Sequence, residues 1–267
     1  MEQKIQELLK RIEEEKKIKV LFAAEAGSRA YELNSAESDY DIGFVFYRPL
    51  EDYISINKPN EQINCGFDKE FKPNRKDGVF IEMTGHDIFK YFQLLTSCNV
   101  ASIDLLNSLI IYFGNITELK DYVENNFNRA KLFTQYFISA KGIYKSHTAS
   151  KKMNIKKYLH VMRVILEAEY VLKYKKLPST SMIKNLDELE KDLPSEVVQK
   201  IRELIVLKTT GHGKEDAKEL PVLDNYFKET FERYRNLGIE AKIKDEKPMD
   251  LNFFNQILQK LVMKKEK

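Results

Sequence analysis

Three short stretches of this 267-residue chain carry residue types suited to phosphate chemistry: Gly27-Ser28, Asp39-Tyr40-Asp41 and Glu82. Ten residues separate Ser28 from Asp39. On a strand, alternate side chains share a face, so Asp39 and Asp41 project together and Tyr40 points away. Two carboxylates held that close repel each other unless a cation lies between them. Mg²⁺ takes hard oxygen ligands, usually a few carboxylates together with substrate phosphates. Gly27 lets the backbone approach a ligand closely. A helix starting there offers free N–H groups to a phosphate, the Ser28 hydroxyl can donate, and Arg29 adds charge. Glu82 sits in a third apolar run, where an acid is costly without a partner. Its expected roles are ligation of a second metal ion and removal of a proton from an attacking hydroxyl. Each piece also has a plainer reading: Gly-Ser as a turn, Asp-Tyr-Asp as a solvated strand end, Glu82 facing water or paired with Arg75 or Lys76. Their conjunction is the specific signal.

The pattern of apolar residues supplies elements to hold these groups. Ile5, Leu8, Leu9 and Ile12 recur at helical spacing within residues 2–17. Residues 18–24 read as a buried strand and 25–31 as a turn leading into a helical stretch. A polar loop occupies 34–38, and Tyr40–Phe46 forms a second strand stopped by Arg48-Pro49. Residues 57–78 read as a long hairpin or loop, and 79–83 as a third strand closed by Thr84-Gly85. From His86 onward the signals are almost wholly helical, with a break at Gly114-Asn115. The expected division is an α/β unit at 1–115 and a helical unit at 116–267.

The string from Glu25 to Leu33, followed by Ser38-Asp39-Tyr40-Asp41-Ile42, resembles the signature of the DNA-polymerase-beta-type nucleotidyltransferases. It is closest to their RNA-repair-pathway DNA polymerase beta branch, the RlaP type. Glu82-Met83-Thr84-Gly85-His86-Asp87-Ile88 is similar to the branch's acid-x-x-Gly-x-Asp-Leu segment. Ser97-Cys98-Asn99, Ile103–Ser108 and the Lys156–Arg163 helix resemble later segments of the branch. The chain departs from the pattern at Val100, where Pro is usual, at His160, where an aromatic is common, and at Glu32, where Gly is usual. The resemblance implies an α+β fold, with a small mixed β-sheet nucleotidyltransferase domain followed by an all-helical domain. It implies that Gly27 and Ser28 hold a triphosphate, that Asp39, Asp41 and Glu82 hold two Mg²⁺ (or Mn²⁺) ions, and that Lys157 and Arg163 contact the ligand.

Composition narrows the partners. The formal charge is only +3, but residues 1–115 carry −5 and residues 116–267 carry +8. Residues 141–163 hold seven basic side chains and no acid. Solvated helix faces are the default for single lysines. An acid-free run of this length points instead to a polyanion, with Lys145, Lys151, Lys152 and Lys156 as candidate nucleic-acid contacts. Cys65 and Cys98 are too few for a disulfide framework. Residues 1–17 are too charged for a signal peptide, and no run approaches the ~20 apolar residues of a spanning helix. These features suit a cytoplasmic protein. Thr209-Thr210-Gly211-His212-Gly213-Lys214 lacks the preceding strand and the spacing of a P-loop. The expected activity is transfer of a nucleoside monophosphate from an NTP, such as ATP, to a hydroxyl, with an RNA end as first choice of acceptor. The alternatives are nucleotidylation of a protein and non-catalytic binding of nucleotide or RNA.

Overall fold

A computed structural model describes residues 1–74, 78–149, 153–215, 217, 220–237 and 247–263, the side chains of His147 and Ala149 excepted. In chain order the elements are α1 (Glu2–Lys16), β1 (Lys19–Ala26), α2 (Gly27–Ala30), β2 (Tyr40–Tyr47), α3 (Leu50–Tyr53), β3 (Gln62–Phe67), β4 (Ile81–Asp87), α4 (Ile88–Thr96), α5 (Val100–Asn107), β5 (Ile111–Phe113) and α6 (Thr117–Asn126). There follow α7 (Arg129–Ala149), α8 (Ile155–Tyr174), α9 (Met182–Leu189), α10 (Ser195–Thr209), α11 (Pro221–Asn236) and α12 (Leu251–Val262). Short 3-10 turns stand at Glu190–Asp192 and His212–Lys214.

The chain divides into two compact units. The first comprises Met1–Ala30, Asp39–Asn126 and Pro248–Lys267; the second comprises Tyr31–Ser38 and Phe127–Lys247. This differs from a single cut after residue 115. The α6 helix and the C-terminal α12 pack with the sheet: Tyr122 stacks on Phe253 with ring centroids 3.7 Å apart, and Phe254 packs on Phe92. The polar loop expected at 34–38 within the first domain belongs instead, with Tyr31–Leu33, to the second unit.

In the first unit a five-stranded mixed sheet runs β3-β4-β2-β1-β5. The β2–β4 pair is parallel and the other three pairs are antiparallel. One face is covered by α1, whose Ile5, Leu8, Leu9 and Ile12 join Ile42, Phe44, Phe46, Ile81 and Met83 in the core. The other face carries Phe22 against Tyr91 of α4, and Leu105 of α5 against Gly43. The third strand is longer than the sequence suggests and starts later, so His86 belongs to β4 and not to a helix. Asp87 is the cap of α4, its carboxylate accepting from the Phe89 N–H. Gly85 is no break either. A Cβ there would lie 2.3 Å from the Phe44 ring, so packing requires the glycine. The 57–78 region contributes β3, paired with β4.

In the second unit α8 is the central element. It buries Tyr158, Leu159, Val161, Met162, Val164, Ile165 and Leu166. Helices α7, α9 and α10 pack around it. Among the described residues no helix is long and apolar enough to cross a membrane.

Candidate active site

The β2–β4 ladder sets the geometry. Asp41 is the register partner of Glu82, Gly43 of Thr84 and Val45 of His86. Register partners share a face, so Asp41, Glu82, Thr84 and His86 all project to the α5 side of the sheet. With Asn99 and Ser102 they line a cleft of about 340 Å³. Glu82 is exposed, and it is the open cleft that lets this strand position keep its charge solvated. Arg75 and Lys76, its alternative partners, lie outside the described residues.

Gly27 closes on Asp41 from the end of β1. Its φ is +61°, and a Cβ there would stand 2.0 Å from Asp41 Oδ2. Only glycine satisfies both the left-handed backbone and this approach. Ser28 follows, half-buried, in a helix of one turn. Asp39 is exposed immediately before β2. Arg29 engages the start of β2. Its guanidinium lies 3.9 Å from the Tyr40 ring centre, and its Nε donates to the Asp39 carbonyl at 3.2 Å. Tyr40 points to the opposite face from Asp41, so in this structure Arg29 braces the start of β2.

Among the described residues, no three His, Cys, Asp or Glu side chains stand together ready to hold a metal ion. The structure brings Asp41 and Glu82 side by side; it does not bring Asp39 into a trio with them. Two adjacent carboxylates still suit a hard divalent cation whose other positions go to phosphate oxygens and water.

Sequence reasoning passed over Glu25. It is fully buried in β1, on the α1 side of the sheet. Oε1 accepts from the Asp41 N–H at 3.0 Å, and Oε2 accepts from the Tyr112 hydroxyl at 2.5 Å. The Ser108 hydroxyl donates to the Glu25 carbonyl at 2.6 Å. Burial raises this carboxyl from 4.5 to about 7, against the lowering effect of its bonds from Tyr112 and Asp41. Glu25 therefore fixes the backbone of Asp41 from behind. The signal was present, because an acid inside the apolar run 18–26 needs a reason to be there. On the cleft side, burial and the Lys90 charge hold His86 below the ordinary histidine value.

The basic candidates fall on the second unit. Arg163 is 3% exposed, ion-paired with Glu167 at 2.5 Å, with its guanidinium 3.9 Å from the Tyr31 ring centre. The expectation of a ligand contact meets a side chain already engaged inside the unit. The Lys157 N–H donates to the Asn154 cap at 3.0 Å, and its side chain is half-buried. Lys145 and Lys156 are exposed on α7 and α8, and Lys151 and Lys152 lie outside the described residues. Glu32, where Gly was expected, has φ +57° and accepts a hydrogen bond from Ser181. Glycine adopts this left-handed backbone without strain.

The model of the RNA repair pathway DNA polymerase beta family (RlaP) matches residues 1–260. The chain is 25% identical over 245 residues to the uncharacterized protein YcgL of Bacillus subtilis (strain 168), covering 91% of this chain and 90% of that protein. Among solved structures it is similar to the spectinomycin adenyltransferase AAD(9) from Enterococcus faecialis, solved with ATP and spectinomycin. That match has a TM-score of 0.48 and 11% identity, and covers 86% of this chain and 97% of the other. A nucleotidyltransferase-like protein from Exiguobacterium sibiricum 255-15 matches with a TM-score of 0.31 and 13% identity, covering 88% of this chain and 78% of that one.

Proposed function

Because this chain belongs to the RNA repair pathway DNA polymerase beta family, we propose that it transfers a nucleoside monophosphate from an NTP to a hydroxyl group, with an RNA end as acceptor. The observation that carries the reading is the Asp41–Glu82 pair in one cleft, with the Gly27 backbone pressed against Asp41. Gly27 and Ser28 receive the triphosphate, the glycine by leaving room and the serine by donating its hydroxyl proton to a phosphate oxygen. Asp41 and Glu82 would hold a divalent Mg²⁺, which Asp39 would join only by turning into the cleft; the bound ion would neutralise phosphate charge and favour the in-line displacement.

In the reaction the acceptor oxygen forms a bond to the α-phosphorus. The bond from that phosphorus to the oxygen bridging toward the β-phosphate breaks, and pyrophosphate leaves with the electron pair. Glu82, exposed in the cleft, takes the acceptor's hydroxyl proton. Glu25 keeps the Asp41 backbone in place and touches no reacting atom.

The acceptor assignment rests on the charge division of the sequence, with the basic excess on the second half. The test is incubation of the purified chain with MgCl₂, each α-labelled NTP, and RNA oligonucleotides with 5′- and 3′-hydroxyl or phosphate ends. Label on an RNA end with the unsubstituted chain, absent with Asp39→Ala/Asp41→Ala, is the expected result. Label on the protein fraction alone would replace the RNA acceptor with a protein. No transfer to any acceptor would overturn the reading.

A further inference from the structure

The second unit holds a lysine cluster of its own. After α10 the chain turns through Gly211, at φ +101°, into the 3-10 turn His212–Lys214. The Ala217 N–H then donates to the Met153 carbonyl at 3.2 Å, which ties this segment to the residue just before the Asn154 cap of α8. The start of α8, the end of α10 and the 3-10 turn thus pack together. Each brings one lysine: Lys156 from the first turn of α8, Lys208 from the last turn of α10, and Lys214 from the 3-10 turn.

Gly213 makes the arrangement tight. A Cβ there would lie 2.2 Å from Lys208 Cδ and 3.5 Å from its Nζ, so the Lys208 side chain runs across the turn that carries Lys214. Burial, and the Lys156 and Lys214 charges beside it, hold the Lys208 amine below the usual lysine value. The acid in this turn, Glu215, is bonded to His212 at 2.6 Å. Among the described residues no carboxylate is ion-paired with Lys156, Lys208 or Lys214. Three like charges gathered by three elements repel one another until an anion arrives.

We propose that Lys156, Lys208 and Lys214 form a phosphate-binding site on the helical unit. Its ligand is a phosphate group of a nucleic-acid backbone or of a free nucleotide. The site gives the Thr209–Lys214 segment a role that its failure as a P-loop leaves open. Only the choice of probes rests on the proposed function, because the readout is binding and not transfer.

The experiment measures binding of a fluorescein-labelled 20-nucleotide single-stranded RNA, and separately of labelled ATP, across a salt series. It compares the unsubstituted chain, Lys156→Gln/Lys208→Gln/Lys214→Gln, and a charge control of Lys175→Gln/Lys176→Gln/Lys191→Gln at exposed positions of the same unit. The single variant Lys214→Gln, at an exposed residue, guards against a folding defect in the triple. The expected result is a loss on the order of tenfold at low salt and a salt slope shallower by about 2 in the site triple, the charge control staying near the unsubstituted chain. Loss for RNA alone assigns a nucleic-acid backbone, and loss for ATP alone assigns a free nucleotide. Equal binding by the site triple, an equal loss in the charge control, or no binding of either probe by the unsubstituted chain would overturn the proposal.

Discussion

Replacing Glu25 with Gln should flatten one identifiable part of the stability profile. The carboxyl is fully buried, and burial lifts it from 4.5 to about 7. The folded chain therefore binds this proton more tightly than the unfolded chain does. Stability from this group is fully present below the unfolded value and is lost as pH rises from 4.5 through 7. The rise from 4.5 to about 7 corresponds to about 3.4 kcal/mol, of which about 2.5 kcal/mol falls between pH 5 and pH 8. The glutamine side chain of Glu25→Gln has no proton to lose, and its amide still offers one acceptor to the Asp41 N–H and one donor to the Tyr112 oxygen. Urea unfolding of both proteins at pH 5, 6, 7 and 8, with EDTA present, reads the difference. The variant should gain on the unsubstituted chain by about 2.5 kcal/mol across that range. Difference curves that stay flat within about 0.5 kcal/mol from pH 5 to 8 would refute the assignment of the raised proton affinity to Glu25.

Three other substitutions probe the remaining structure. Gly27→Ala combines a left-handed residue, costing roughly 1–2 kcal/mol, with a methyl 2.0 Å from Asp41 Oδ2. Nucleotidyl transfer should fall on the order of a hundredfold while far-ultraviolet circular dichroism stays native, as expected for groups displaced by about an ångström. Arg163→Met leaves the buried Glu167 carboxylate without its ion pair and should cost about 3–5 kcal/mol, whereas Arg163→Met/Glu167→Met should recover most of it in urea titrations. Phe254→Ala removes a buried ring that packs on Phe92 and Tyr122, and a loss of about 3–5 kcal/mol in thermal unfolding would verify that α12 belongs to the sheet unit.

The parts of the site that follow from local spacing were readable in the sequence. Asp41 and Tyr40 take opposite faces of β2 as alternation requires, with Asp39 just before the strand, and Gly27 stands where the backbone is left-handed. What depends on neighbours across the sheet was not readable. Gly85 looks like a terminator until Phe44 is seen lying over it. Glu25 looks like part of a motif string until its bonds to the Asp41 N–H and Tyr112 hydroxyl are traced. The acid-free window 141–163 exaggerated the free charge, because Arg163 finds Glu167 one turn later, just past the window's edge. The α12 helix has an obvious apolar stripe at Phe253, Phe254, Ile257 and Leu261. A stripe says that a face is buried and not against which element, so its return to the sheet unit across the whole helical segment could not be read from periodicity.

Residues 31–38 carry a consequence for how this protein can be divided or inherited. The chain passes between its two units four times, after residues 30, 38, 126 and 247. Leu33 is buried, and the Tyr31 carbonyl, the Tyr31 ring and the Glu32 carboxylate bond to Met182, Arg163 and Ser181. A fragment ending near residue 126 would carry this segment without any of those partners, and without α12. The helical unit is therefore not a tail that recombination or a nuclease-trimmed gene can shed at one breakpoint. A minimal fragment of the sheet unit would need a redesigned bridge between Ala30 and Asp39, in the span that separates Gly27-Ser28 from β2.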